Sequence, residues 1–197
     1  MRQGRGMRHS WIAAALLVVL LIAFRIVSAI GFLPNFSPLP ALLLCSLVFL
    51  RGARAWLLPL AAWAITDPLV SLVQGYPVIG PHHVGILVGL SASVALGYLL
   101  RRDPRNLPVL AGSLASAGLF FLLSNSFSFL FDPLYAKTLT GFIQAQWTGP
   151  EGFAPTWVFL RNAGAANLLF TGLFLAARRS WMPALSTAPG TPASPLR

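Results

Sequence analysis

Long apolar runs alternate with short polar connections along this chain. Six runs stand out, at residues 11–31, 38–50, 55–73, 84–100, 107–131 and 157–177. Several approach ~20 residues, the helix length that crosses the hydrocarbon core of a bilayer. Strands of a membrane barrel would instead alternate apolar and polar residues over short segments, and the sequence lacks that pattern. The expected fold is all-α: a polytopic membrane protein built as a six-transmembrane-helix bundle. Residues 1–10 are expected to form a basic N-terminus, 11–179 the membrane domain and 180–197 a disordered tail. The tail sequence "STAPGTPASPLR" has too little large apolar surface to order itself.

The second run is short. Residues 38–50 rise only ~20 Å as a helix, against a hydrocarbon core of ~30 Å. Ahead of it lies "FLPNFSPLPALLL", residues 32–44, with prolines at 34, 38 and 40 and no charge. Irregular backbone at membrane depth is tolerated only inside protein or beside a water-filled cavity. Pro34 and Pro38 restrict the backbone on either side of Asn35. Two readings stand for Asn35. It is presented to an outer cavity by a stiff loop, or it only satisfies backbone groups freed by the prolines.

Charge adds orientation. The chain has 14 Lys and Arg, 4 Asp and Glu, and a net charge of +10. The bases punctuate the ends of apolar runs and form no single patch, so nucleic acid is not an expected partner. Arg2, Arg5 and Arg8, then Arg51 and Arg54, then Arg101, Arg102 and Arg105, then Arg178, Arg179 and Arg197 fall at alternate connections. The positive-inside bias therefore puts both termini in the cytoplasm and the first, third and fifth loops outside. A rival reading takes Arg2–Arg8, the apolar run and "VSA" at 27–29 as a signal peptide. Arg25 interrupts that region, and the apolar run resumes through Ile26, Ile30, Phe32 and Leu33.

Ionisable and amide side chains within spans are costly, and they mark function or paired structure. Arg25, Asp67, Asn125, Arg161 and Asn162 all map to the outer half, with Asn167 following in the last span. Asp67 is expected to pair with Arg25. That would leave Arg161 free to bind a carboxylate or phosphate. The competing reading ties both arginines to Asp67 and helix-end carbonyls, or lets them reach the headgroups. The expected substrate-binding set is Asn35, Asp67, Asn125, Arg161 and Asn162.

Other features read as structural. Gly85 and Gly89, with the small residues of the fourth and fifth runs, suit close helix packing. His82 and His83 follow Pro81 in what reads as an outer loop, without Cys, Asp or Glu at ligand spacing. Cys45, the single cysteine, reads as a small hydrophobe. No metal, cofactor or catalytic group is expected, because no nucleophile elbow, zinc-protease, P-loop or dinucleotide motif is present. In the fifth connection, Leu134, Leu139, Phe142, Ile143 and Trp147 make an apolar stripe. It suits a short amphipathic helix at the outer interface, either as an anchor or as a lid. Trp147 and Trp157 are expected at headgroup depth.

Four segments carry a resemblance: "RIVSAIGFLPNFSPLPALLL" at 25–44, "LLPLAAWAITDPLVS" at 57–71, "LLSNSFSFLFDPLYAKTLTGFIQAQ" at 122–146 and "FLRNAGAANLLFTGLF" at 159–174. Together they resemble an uncharacterised family of bacterial six-span membrane proteins with a Pro-Asn-Phe-[Ser/Thr]-Pro element. This chain departs from the family pattern at Thr66, Ser124 and Asn167, where the family often has Ser, Thr and a nearby Asp. The architecture is similar to the S components of energy-coupling-factor transporters. That resemblance implies a multi-pass protein of the bacterial inner (plasma) membrane. It would capture a small-molecule substrate in an outward pocket and partner an energising ATPase and coupling module. The alternatives are a non-transport scaffold of an envelope assembly complex, or a self-sufficient secondary transporter using Asp67.

Overall fold

The computed structural model describes residues 19–181 apart from 21, 32 and 76. The expected basic N-terminus, the first part of the run 11–31 and most of the expected tail lie outside these residues. Among the described residues all regular structure is helical. The order is α1 (residues 22–29), α2 (Leu39–Phe49), α3 (Arg54–Gln74), α4 (His82–Leu100), α5 (Asn106–Phe131), α6 (Leu139–Gln146) and α7 (Thr156–Trp181). Four of these, α3, α4, α5 and α7, are long and apolar enough to cross a membrane.

The short second run becomes the centre of the bundle. Every residue of α2 is buried. A helix that is apolar on all sides belongs in an interior, and α2 packs on α3, α4, α5 and α7. Its 11 residues rise about 16 Å. These neighbours, and not its own length, shield it. Pro40 is tolerated in its first turn, where the missing N–H would have no intrahelical partner.

Small residues set the helix spacing. A Cβ at Gly89 of α4 would lie 2.6 Å from Phe120 Cδ2 of α5, and one at Gly97 would lie 2.8 Å from Leu47 Cβ of α2. Hydroxyls then join the helices in the buried middle of the bundle. Ser93 and Ser116 Oγ atoms are 2.6 Å apart, across α4 and α5. Thr171 Oγ1 of α7 donates to Ser113 Oγ of α5 at 2.7 Å, and Ser113 Oγ donates to Asn167 O at 3.0 Å. Cys45 Sγ of α2 lies 3.9 Å from Thr171 Oγ1. Such interhelical hydrogen bonds are a recognised glue between membrane helices.

Helix ends gather at two poles. At one, Arg101 Nη2 donates to Leu50 O at 2.8 Å, which occupies a carbonyl just beyond α2, and the Arg178 guanidinium lies 4.1 Å from the centre of the Phe49 ring. At the other lie the turn 33–36, the end of α3 at Gly75 and the start of α4. Gly75 closes α3 with φ 73°, and its N–H is donated to Leu72 O. This is the left-handed stop for which glycine is preferred.

Two expectations change here. His82 and His83 are not in a loop: they form the first turn of α4. In the fifth connection the helical part of the apolar stripe is α6, capped by Thr138 Oγ1, which accepts from Gly141 N at 3.1 Å. Gly141 and Ala145 face inward, while Leu139, Ile143 and Trp147 are exposed. No side chain fits at Gly141, because a Cβ there would meet the Ala136 carbonyl oxygen at 2.0 Å.

Candidate functional site

The prolines around Asn35 build a turn. Phe36 N donates to Leu33 O at 3.1 Å. Pro34 takes the second position and Asn35 the third, with φ 61°. This is the arrangement of a type II turn, whose third position demands a positive φ and accepts Asn in place of Gly. Neighbouring elements clamp the turn. Ser28 Oγ of α1 donates to Leu33 O at 2.5 Å and accepts from Phe36 N at 3.2 Å. Asn162 Nδ2 of α7 donates to Pro34 O at 2.9 Å. Asn35 Nδ2 points toward Phe159 O, at 3.5 Å. Ser37 Oγ then accepts from Leu39 N at 3.3 Å and steers the chain into α2.

Beside this turn lies a cavity of about 590 Å³. Its walls come from one pole of the bundle: the end of α1, the turn, the end of α3, the start of α4, the end of α5 and the start of α7. Its polar side chains include Ser28, Asn35, Gln74, Ser124, Asn125 and Ser128. Phenylalanines 120, 121, 127, 131 and 159 supply ring surface. A second space of about 170 Å³ adjoins it and shares Ser28, Asn35, Gln74 and Phe120. Arg25 and Ser37 complete its polar wall. A volume of several hundred Å³ with an apolar lining and a few convergent polar groups is the usual form of a small-molecule site.

Asp67 sits at the foot of this region as the centre of a three-residue cluster. Its Oδ1 accepts from Arg25 Nη2 at 2.8 Å, and its Oδ2 lies 2.6 Å from His83 Nε2. The cluster ties α1, α3 and α4 together. It is well shielded, with 12% of the Arg25 side chain and 10% of the Asp67 side chain exposed. His83 is fixed from both sides, because its Nδ1 lies 3.1 Å from Gly80 O. Trp63 of α3 flanks its ring at 6.0 Å between centres.

The expected binding residues separate into three groups. Asn35 and Asn125 both line the larger cavity. Asp67 lines neither space, and both its oxygens are engaged. Arg161 and Asn162 are also outside the two linings. The Arg161 side chain is exposed and lies over the Trp157 ring at 5.5 Å. Its Nε and Nη2 both donate to Asn162 Oδ1 at 3.2 Å. The structure thus places the Arg161 guanidinium against Asn162 and Trp157, outside both linings, and Asn162 holds the turn from behind. The sequence reading missed Gln74, Ser28, Ser124 and Ser128 as lining groups. Ser124, Asn125 and Ser128 at helical spacing beside Phe121 were a usable signal, because positions three and four apart share a face.

At the rim, Asp132 Oδ1 accepts from Leu134 N at 2.9 Å, and Lys137 Nζ donates to Asp132 O at 2.7 Å. Burial, with the Asp132 carboxylate nearby, pushes the Tyr135 phenol above its ordinary pKa and keeps it neutral. Among the described residues no group of three or more His, Cys, Asp or Glu is placed to hold a metal ion.

Four apolar helices of spanning length around a buried fifth are the make-up of an α-helical membrane protein. The chain belongs to a family of unknown function, DUF6580, whose profile matches residues 6–185. No curated protein and no solved structure matches it.

Proposed function

We propose that this protein is a membrane-embedded capture subunit that takes up a small solute from the outer side of the bacterial inner membrane. The observation that carries the reading is the cavity in which Asn35 of the turn and Asn125 of α5 converge. The proposed topology has six spans, counting α2 with its shielding neighbours and the run 11–31. Both termini and the Arg101–Leu50 pole are cytoplasmic, which leaves the cavity facing outward. The alternation of arginine-bearing and arginine-free connections supports this orientation. The sequence carries no nucleotide-binding motif, so energy for uptake would come from a separate ATPase and coupling module, as with S components. A secondary-transport role for Asp67 has less support, because Arg25 and His83 already occupy both its oxygens.

The test is native mass spectrometry of the full chain purified from membranes in mild detergent. Capture predicts a bound small molecule that is retained by Arg161→Ala and lost from Asn125→Ala. A protein that carries only lipid, whatever the variant, would count against capture.

A further inference from the structure

The cavity also indicates what kind of solute it takes, on the assumption that it is a capture site. Its lining offers amides, hydroxyls and the His82 imidazole, whose ring lies 4.1 Å from that of His83 between centres, but almost no fixed charge. The amides of Gln74 and Asn125 make no hydrogen bond to any described residue, and each has both donor and acceptor atoms. Among the described residues the larger cavity is lined by no arginine or lysine. The smaller one is lined by a single guanidinium, Arg25, and Asp67 already holds it at 2.8 Å. The acid in the larger lining, Asp132, sits at the rim and accepts the Leu134 N–H.

A carboxylate or phosphate entering the larger space would lose its hydration without meeting a lysine or arginine there. The Arg25 Nε has no hydrogen-bond partner among the described residues, but Asp67 already neutralises the guanidinium, so an anion drawn to that N–H would sit beside the shielded Asp67 carboxylate. Lost hydration and a like charge nearby are both unfavourable in a shielded site. A permanent cation faces the mirror problem, since the one acid of the larger wall, Asp132, already accepts the Leu134 N–H. An uncharged solute meets neither penalty. The phenylalanine faces suit a flat ring, which packs on them in stacked or edge-on geometry. The amides suit a ring edge that both donates and accepts. We propose that the cavity selects an uncharged solute with a flat ring and an amide-like hydrogen-bonding edge, and rejects carboxylated or phosphorylated relatives of it.

The experiment uses the purified full-length protein and a small-molecule extract of bacterial cells. The extract is separated by ion exchange at neutral pH into anionic, cationic and uncharged fractions. Each fraction is then tested for its effect on the unfolding temperature. The uncharged fraction should raise Tm by about 3 °C or more, the order expected for a saturating ligand. The stabilising component, identified by mass spectrometry, should contain an aromatic ring. Asn125→Ala, and independently Gln74→Ala, should lose the shift, and each variant's own unliganded Tm shows whether it has folded. Stabilisation confined to the anionic or cationic fraction, or by a neutral aliphatic compound, overturns the selectivity and leaves capture standing. Failure of every fraction contradicts capture itself.

Discussion

His83 Nε2 lies 2.6 Å from Asp67 Oδ2, across the junction of α3 and α4. The same carboxylate binds Arg25 of α1, so one acid joins three helices at the foot of the cavity. Removing Asp67 would leave a guanidinium shielded and unpaired. We expect Asp67→Asn to destabilise the protein by about 3–5 kcal/mol, the range for breaking one side of a buried pair. The double variant Arg25→Met with Asp67→Leu should recover much of that loss. Unfolding in mixed micelles measures both, and equal losses in the two variants would deny the cluster this role.

Asn35 holds a positive φ of 61° while its amide lines the cavity. The two roles separate by substitution. Asn35→Gly keeps the backbone conformation and should change stability little. Asn35→Ala adds strain of about 1–2 kcal/mol. Both remove the amide, so both should weaken retention of the bound solute. Thermal unfolding read beside native mass spectrometry distinguishes the effects.

Gly89 leaves room for the Phe120 ring. Overpacking this interface with Gly89→Ala should cost about 1–3 kcal/mol, and Phe120→Leu on that background should return part of it. Tm of the single and double variants provides the check. A neutral Gly89→Ala would mean that α4 and α5 are more loosely apposed than 2.6 Å implies.

Orientation is open to labelling. Cys45 is fully buried, so the native chain should resist a maleimide until denatured. In a Cys45→Ala background, Ile79→Cys should react with a membrane-impermeant maleimide in intact cells, since Ile79 is 90% exposed at the cavity pole. Asp103→Cys, at the opposite pole, should react only after lysis. The reverse pattern would invert the topology.

The helices were legible because apolar runs are long and their ends are punctuated by Arg, Pro and Gly. The helices α3, α4, α5 and α7 begin one or two residues before their expected starts. The brevity of the second run was visible too, but its central position was not, since that depends on which helices surround it. Depth within a span can be counted along a sequence, whereas direction around a helix needs its neighbours. Arg25 and Asp67, an acid and a base at one depth, meet at 2.8 Å. Arg161, at similar depth, turns outward over Trp157, four residues earlier on the same helix. His83 read as a loop residue because its partner lies sixteen positions back, on a neighbouring helix whose placement no local spacing encodes. Gln74 read as a connection residue because it is the last of α3, next to Gly75.

The most direct test of the central claim is an experimental structure of the protein purified from its own membrane in mild detergent. The account predicts ordered non-protein density in the cavity, within hydrogen-bonding distance of both Asn35 and Asn125 side chains and against the ring of Phe120. A cavity filled by a lipid acyl chain, or closed by inward packing of the phenylalanines with both amides turned away, would contradict it.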